Sequence, residues 1–219
     1  MTERTPPAIE VIGLKRRYGQ EWVLKGIDLT LEPGKIHGII GKNGSGKTLL
    51  LKCICGFVPP TEGRVLVDGR QVGKDVDFPP EVGMIIETPG FLPYYSARRN
   101  LEILASIRRK VGRERIHEVL RYVGLDPQNR KGVAKYSMGM RQRLGLAQAL
   151  MEYPSILVLD EPMNGLDKQG VAWLRGLLSQ QRDQGTTILM ASHSMEDVDL
   201  LCDTVHEMDG GELTDMKVV

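Results

Sequence analysis

Ile36-His37-Gly38-Ile39-Ile40-Gly41-Lys42-Asn43-Gly44-Ser45-Gly46-Lys47-Thr48-Leu49-Leu50 is the stretch on which the fold turns. Its first five residues form a short apolar run, and its end continues into a helical pattern carrying Leu49, Leu50, Cys53 and Ile54. Between the two, Gly41 to Thr48 satisfies the pattern G-x-x-x-x-G-K-[ST]. Glycines there let successive backbone N–H groups face phosphate oxygens, and the helix that follows offers its positive end. Gly41, Lys42, Asn43, Gly44, Ser45, Gly46, Lys47, Thr48 and Leu49 are therefore the candidate nucleotide-binding segment. Within it, Lys47 is expected to reach the β- and γ-phosphates and Thr48 to ligate Mg²⁺. Taken alone, such a loop occurs in many NTPases.

Outward from the loop, strand and helix signals alternate. Upstream, Ile9 to Leu14 and Ile27 to Leu31 read as short strands closed by the turn Glu32-Pro33-Gly34-Lys35. Downstream, Pro59-Pro60-Thr61-Glu62-Gly63 breaks the chain before a strand at Arg64 to Val67, with a turn at Asp68-Gly69 and a buried strand at Val82 to Ile86. Ser96 is placed to cap a helix carrying Leu101, Leu104, Ile107 and Val111, and Ile116, Val119, Leu120 and Val123 mark a second helix. Strands return at Ile156 to Leu159 and Thr186 to Ala191, separated by a helix around 168–184 with Val171, Leu174, Leu177 and Leu178. Val205 to Met208, before the turn Asp209-Gly210-Gly211, opens a closing hairpin. Strands alternating with helices imply a parallel sheet covered on both faces.

A second cluster of chemistry sits in Ile156-Leu157-Val158-Leu159-Asp160-Glu161-Pro162, an apolar strand ending in two acids. Burying adjacent acids is costly unless a cation or water network occupies them. Asp160 suits a water-mediated Mg²⁺ contact, and Glu161 suits orienting and deprotonating an attacking water.

In this order, these motifs resemble those of the ATP-binding cassette (ABC) ATPases, over about residues 9 to 212. The resemblance implies an α/β fold: a P-loop NTPase core with an N-terminal antiparallel β-subdomain and an inserted α-helical subdomain. One nucleotide-binding domain would span residues 1–219, with about 1–87 and 153–219 as core plus β-subdomain and about 88–152 as the helical signature subdomain. Tyr18, in Arg17-Tyr18-Gly19, matches the aromatic that stacks on adenine. Ser137-Met138-Gly139-Met140-Arg141-Gln142 matches the signature that closes over the γ-phosphate bound by the opposite subunit, through Ser137 and Gly139. Asn164-Gly165-Leu166-Asp167 matches the D-loop, and His193 matches the switch histidine at the γ-phosphate.

Two departures stand out. Tyr136 and Met138 replace the signature's usual Leu and first Gly, and Met140 replaces its Gln. The position that usually holds the Gln of the Gln-loop carries Glu87, in Glu87-Thr88-Pro89. A carboxylate ligates Mg²⁺ as an amide oxygen does, but adds a full negative charge beside the phosphates. The Glu-for-Gln pattern with a Met-rich signature is similar to the ATPases of bacitracin- and lantibiotic-type peptide resistance exporters.

That resemblance implies an ATPase using ATP and Mg²⁺, with catalytic Glu161, His193 and Lys47 and with Thr48, Glu87 and Asp160 at the metal. It implies a second nucleotide-binding subunit, as homo- or heterodimer, and a separate transmembrane permease subunit. Peripheral attachment to the cytoplasmic face of the cell membrane would follow, with export of a peptide antibiotic, drug or lipid-like cargo. A soluble ABC-type scaffold without a permease, and a nucleotide-binding regulator with negligible hydrolysis, stay open as alternatives.

Composition agrees with a folded domain. Over 219 residues, 41% are apolar and 26% charged, and no apolar run reaches the length of a membrane span. The start, Met1-Thr2-Glu3-Arg4-Thr5-Pro6-Pro7, lacks a secretory pattern, and the end near Lys217-Val218-Val219 offers no evident regulatory domain. Cys53, Cys55 and Cys202 lack metal-ligand spacing and are expected to be reduced and partly buried. The net charge of +1 conceals a basic stretch, residues 98–143, with thirteen Lys or Arg against Glu102, Glu114, Glu118 and Asp126. That stretch reads either as a solvated helical surface or as a face for anionic lipid headgroups or a partner. With Tyr122 and Tyr136 as its aromatics, it does not suggest nucleic acid.

Overall fold

The computed structural model describes residues 6–87 and 89–216. The N-terminal reading over Met1 to Thr5, Thr88 of the Glu87-Thr88-Pro89 segment and the C-terminal reading over Lys217 to Val219 lie outside the described residues. Strands β1 (Ile9–Tyr18) and β2 (Glu21–Leu31) form a hairpin, which β4 (Glu62–Val67) and β5 (Arg70–Gln71) extend into a four-stranded antiparallel sheet of order β2-β1-β4-β5. The hairpin is longer than the two short strands expected. Register shifts at Val11/Leu14, Leu14/Lys15 and Arg16/Arg17 interrupt its alternation, so a period-of-two reading loses the strand after Leu14.

The second sheet contains β3 (Ile36–Ile40), β6 (Val82–Ile85), β7 (Ile156–Asp160), β8 (Thr187–Ser192), β9 (Thr204–Asp209) and β10 (Glu212–Met216), in order β10-β9-β3-β8-β7-β6. All neighbours pair in parallel except β10 with β9. Every residue of β7 and β8 is buried, as both faces are covered. One face packs against α1 (Lys47–Ile54) and the antiparallel sheet, through Ile39, Leu50, Leu51, Ile54, Val158 and Leu189. The other packs against α4 (Met138–Leu150), α5 (Lys168–Asp183) and α6 (Met195–Leu201), through Leu157, Leu159, Leu174, Leu178, Ile188 and Val198.

Between β6 and β7 the chain is helical: α2 (Ala97–Arg108), α3 (Arg113–Tyr122), a 3₁₀ turn at Val133–Lys135, and α4. Ser96 caps α2 by accepting from the Arg99 N–H at 3.3 Å. Leu101, Ile116, Val119, Leu120 and Val123 are buried as expected, but Ile107 is 74% exposed and Val111 lies beyond the helix. Arg109 adopts a left-handed backbone (φ 54°) and its N–H caps the Ala105 carbonyl, which stops α2 a turn early. The short helix α6, opened by Ser194 accepting from Asp197 N–H, is absent from the sequence reading.

Much of the basic stretch is consumed internally. Arg98 pairs with Glu102 at 2.9 Å, Arg108 with Glu152 at 2.6 Å and Lys110 with Glu81 at 2.8 Å, while Arg143 donates to the Val123 carbonyl and lies over Trp173. A charge count registers cations but not their partners. Among the described residues, no helix is long and apolar enough to cross a membrane. All three cysteines are free and buried.

Candidate functional site

The loop between β3 and α1 turns where its glycines permit. Gly44 (φ 82°) and Gly46 (φ 112°) lie in the left-handed region, and a Cβ at Gly46 would press on Leu24 at 2.9 Å. Gly41 N–H donates to the Ser192 carbonyl at the end of β8, which docks the loop on the parallel sheet. Lys47 is buried, and its ammonium donates to the Gly41 and Lys42 carbonyls at 2.6 and 3.2 Å.

The acid pair lies directly opposite. Thr48 Oγ1 donates to Asp160 Oδ2 at 2.7 Å, joining the start of α1 to the end of β7. Asp160 Oδ1 is buried with no partner, and burial pushes the Asp160 carboxyl above the ordinary carboxylate value, with the Thr48 bond opposing it. Glu161 also has a left-handed backbone (φ 48°), and its N–H is fixed by the Ala191 carbonyl at 2.9 Å. Its Oε2 lies 2.8 Å from His193 Nδ1 and its Oε1 3.6 Å from Lys47 Nζ, so one carboxylate bridges histidine and lysine. The expected trio Lys47, Glu161 and His193 thus converges.

An unpartnered carboxylate oxygen beside a hydroxyl suits a hard cation that keeps several waters. Among the described residues no three His, Cys, Asp or Glu side chains are grouped to hold a metal. A cation here would take Thr48 and Asp160 and complete its shell from phosphate oxygens and water.

Glu87 stands apart from this pair. It too is left-handed (φ 59°), and its carboxylate rests on Lys52 at 2.7 Å rather than on Thr48 or Asp160. Lys52 belongs to no motif and went unseen in the sequence. Its position four residues after Thr48, on the same face of α1, is the signal that would have found it. Tyr18, at the end of β1, is 51% exposed with the Arg16 guanidinium 4.7 Å from its ring centre. Ser137 caps α4 by accepting from Met140 N–H, and Gly139 follows in the first turn. Among the described residues, no hydrogen bond or ion pair joins Ser137 or Gly139 to the loop at 41–48. A cleft of about 600 Å³ opens instead between Glu87, Tyr136, Met138, Gln142, Asp160 and Glu161.

Comparison with known proteins follows the same lines. Residues 24–164 match the family described as ABC transporter. The chain is 44% identical to an uncharacterized ABC transporter ATP-binding protein, YybJ of Bacillus subtilis, covering 96% of this chain and 97% of that one. It is 39% identical to the bacitracin transport ATP-binding protein BcrA of Enterococcus faecalis, over 94% of this chain and 68% of BcrA. A bacterial ABC transporter cassette solved as a dimer superimposes with a TM-score of 0.86 at 23% identity, covering 96% of this chain and 99% of that one.

Proposed function

The chain belongs to the ABC transporter family as an ATP-binding subunit, and on that premise we propose how its site works and what it drives. Two copies, or this chain and a similar one, bind two ATP molecules, each between the 41–48 loop of one subunit and Ser137 and Gly139 of the other. Hydrolysis powers a separate permease at the cytoplasmic face of the membrane, which exports a peptide antibiotic, drug or lipid-like cargo. The identity to BcrA over nearly the whole chain supports this cargo class. Residues 88–152 act as the helical signature subdomain, and the remainder as the core with its β-subdomain.

The observation that carries the reading is the Glu161 carboxylate held between His193 and Lys47, with the Thr48–Asp160 pair alongside. Phosphoryl transfer asks for positioning and charge neutralisation more than covalent help. Glu161 accepts the proton of the attacking water, and His193 orients Glu161 and contacts the γ-phosphate. Lys47 leaves the loop carbonyls for the β- and γ-oxygens, and exposed Tyr18 stacks on adenine. Thr48 and Asp160 would hold Mg²⁺, with Glu87, which rests on Lys52, as the third proposed ligand. A cation held there would supply charge neutralisation for the β- and γ-phosphates.

Steady-state phosphate release and nucleotide binding test this. Lys47→Ala should lose nucleotide affinity, and Glu161→Gln should bind ATP yet turn over at least about a hundredfold more slowly, as expected on removing a general base. Wild-type turnover in Glu161→Gln would refute the assignment of the base. Fractionation of the tagged native protein tests the permease. A wholly soluble distribution with no co-purifying integral membrane protein would reverse that part of the reading.

A further inference from the structure

The turn between β9 and β10 touches the phosphate loop and the antiparallel sheet at once. Gly211 N–H donates to the Ser45 carbonyl at 3.0 Å, and the Gly211 carbonyl accepts from Lys25 N–H of β2 at 2.9 Å. The same hairpin abuts the loop again at Met208, whose carbonyl oxygen a Cβ on Gly41 would strike and whose sulfur a Cβ on Gly46 would meet at 3.3 Å.

Ser45 and Gly46 share one trans peptide unit, in which C=O and N–H point in opposite directions. Holding the Ser45 oxygen on Gly211 therefore aims the Gly46 N–H the other way, into the loop. Among the described residues the Gly46 N–H has no backbone or side-chain acceptor, so it is free for a phosphate oxygen. We infer that Gly211 is a positioning residue for nucleotide binding: the β9–β10 turn, braced on β2, orients the Ser45–Gly46 peptide so that its N–H faces the phosphates.

The residue type follows from the space. Gly211 has φ 87°, and a Cβ there would run into the Val23 carbonyl oxygen, with the Val23 carbon at 3.0 Å and Leu24 Cα at 3.6 Å. These are backbone atoms of a paired strand, which do not rotate aside. Gly210, its neighbour, is also left-handed (φ 53°) but has open space around it, so Gly210→Ala carries a left-handed backbone penalty without displacing the turn.

The inference rests on the nucleotide reading of the 41–48 loop, and the test separates the two. Equilibrium binding of a fluorescent ATP analogue is measured with the purified full chain, its Lys47→Ala, Gly210→Ala and Gly211→Ala variants, and Mg²⁺ present. Gly211→Ala should weaken binding and raise KM for ATP by about tenfold, the scale of one charge-assisted hydrogen bond, with kcat changed by less than about twofold. Gly210→Ala should stay within about threefold of wild type on both. A merely structural role would lower kcat through the active fraction and leave KM in place, and that result overturns the inference. So does unchanged affinity in folded Gly211→Ala, or equal losses in the two glycine variants. Wild-type protein that binds no nucleotide would instead sink the reading of the loop itself. If Gly211→Ala fails to fold, amide exchange on the wild type decides: saturating nucleotide should slow exchange at Gly211 and not at Gly210, and unchanged exchange at Gly211 refutes the role.

Discussion

Replacing Asp160 with Asn should make the protein more heat-resistant when no nucleotide or Mg²⁺ is present, and should remove the extra stability that the two together confer. Asp160 is 9% exposed, one of its oxygens is buried without a partner, and burial raises its carboxyl above the usual value. Asn still leaves one polar atom there unpartnered but sheds the negative charge, and burying an unsatisfied group costs about 1–3 kcal/mol, with the larger share for a charged one. At about 2–4 °C of melting temperature per kcal/mol for a chain of this size, relief amounts to about 2–12 °C. Because the folded carboxyl holds its proton more tightly than the unfolded one, its favourable contribution is complete below the ordinary value of 3.8 and is lost as pH rises through the raised value. The gap between Asp160→Asn and wild type should therefore be widest at neutral pH and narrow as pH falls toward the acid range. Differential scanning calorimetry at several pH values, with and without Mg²⁺-ATP, measures all of this. An Asn variant that melts at or below wild type at neutral pH without ligand would refute the claim that Asp160 is held at a cost for a cation.

Lys52→Met should shift melting by no more than about 4 °C, since a half-exposed pair contributes about 1 kcal/mol or less. It should nevertheless change the Mg²⁺ concentration for half-maximal ATPase activity, and Glu87→Gln in the same chain should restore it; an unchanged Mg²⁺ dependence in the single variant refutes a link between Lys52 and the metal. Burial pushes the Cys53 thiol to about 11 and those of Cys55 and Cys202 to about 12, so a thiol reagent at pH 8 should label none in the native protein and all three after denaturation. His37 is held below its ordinary 6.5 chiefly by burial, so its stabilising neutral form is complete above 6.5 and is lost as pH falls through the depressed value. Melting temperature should fall more steeply below pH 6.5 in wild type than in His37→Gln, and parallel slopes would count against this.

What the sequence disclosed depended on whether a residue's purpose is local. The turn at 41–48 was legible because the left-handed backbone at Gly44 and Gly46 favours glycine, and the same glycines are what crowding N–H groups round an anion would require. The parallel strands were legible because burial on both faces leaves unbroken apolar runs such as Ile156 to Leu159. The hairpin beyond Leu14 was not, since bulges scramble the alternation on which strand reading relies. Glu161, His193 and Lys47 lie together, but Lys52 against Glu87 is a contact between α1 and the segment just after β6, 35 residues apart, and no periodicity encodes it. The basic stretch shows a further limit: Arg108 and Lys110 tie the end of α2 to Glu152 and Glu81, and Arg98 pairs with Glu102 within α2, partners that a count of charges does not register.

Glu87 and Glu161 share a backbone conformation that asks for Gly or Asn, each at a cost of about 1–2 kcal/mol for a side chain of this kind. A mutant library screened for heat resistance alone should therefore enrich Gly or Asn at these two positions early. The survivors would be sturdier proteins with the acids gone. Retention of glutamate at both sites then serves as a practical label: it sorts chains still under selection for turnover from chains that have traded turnover for durability.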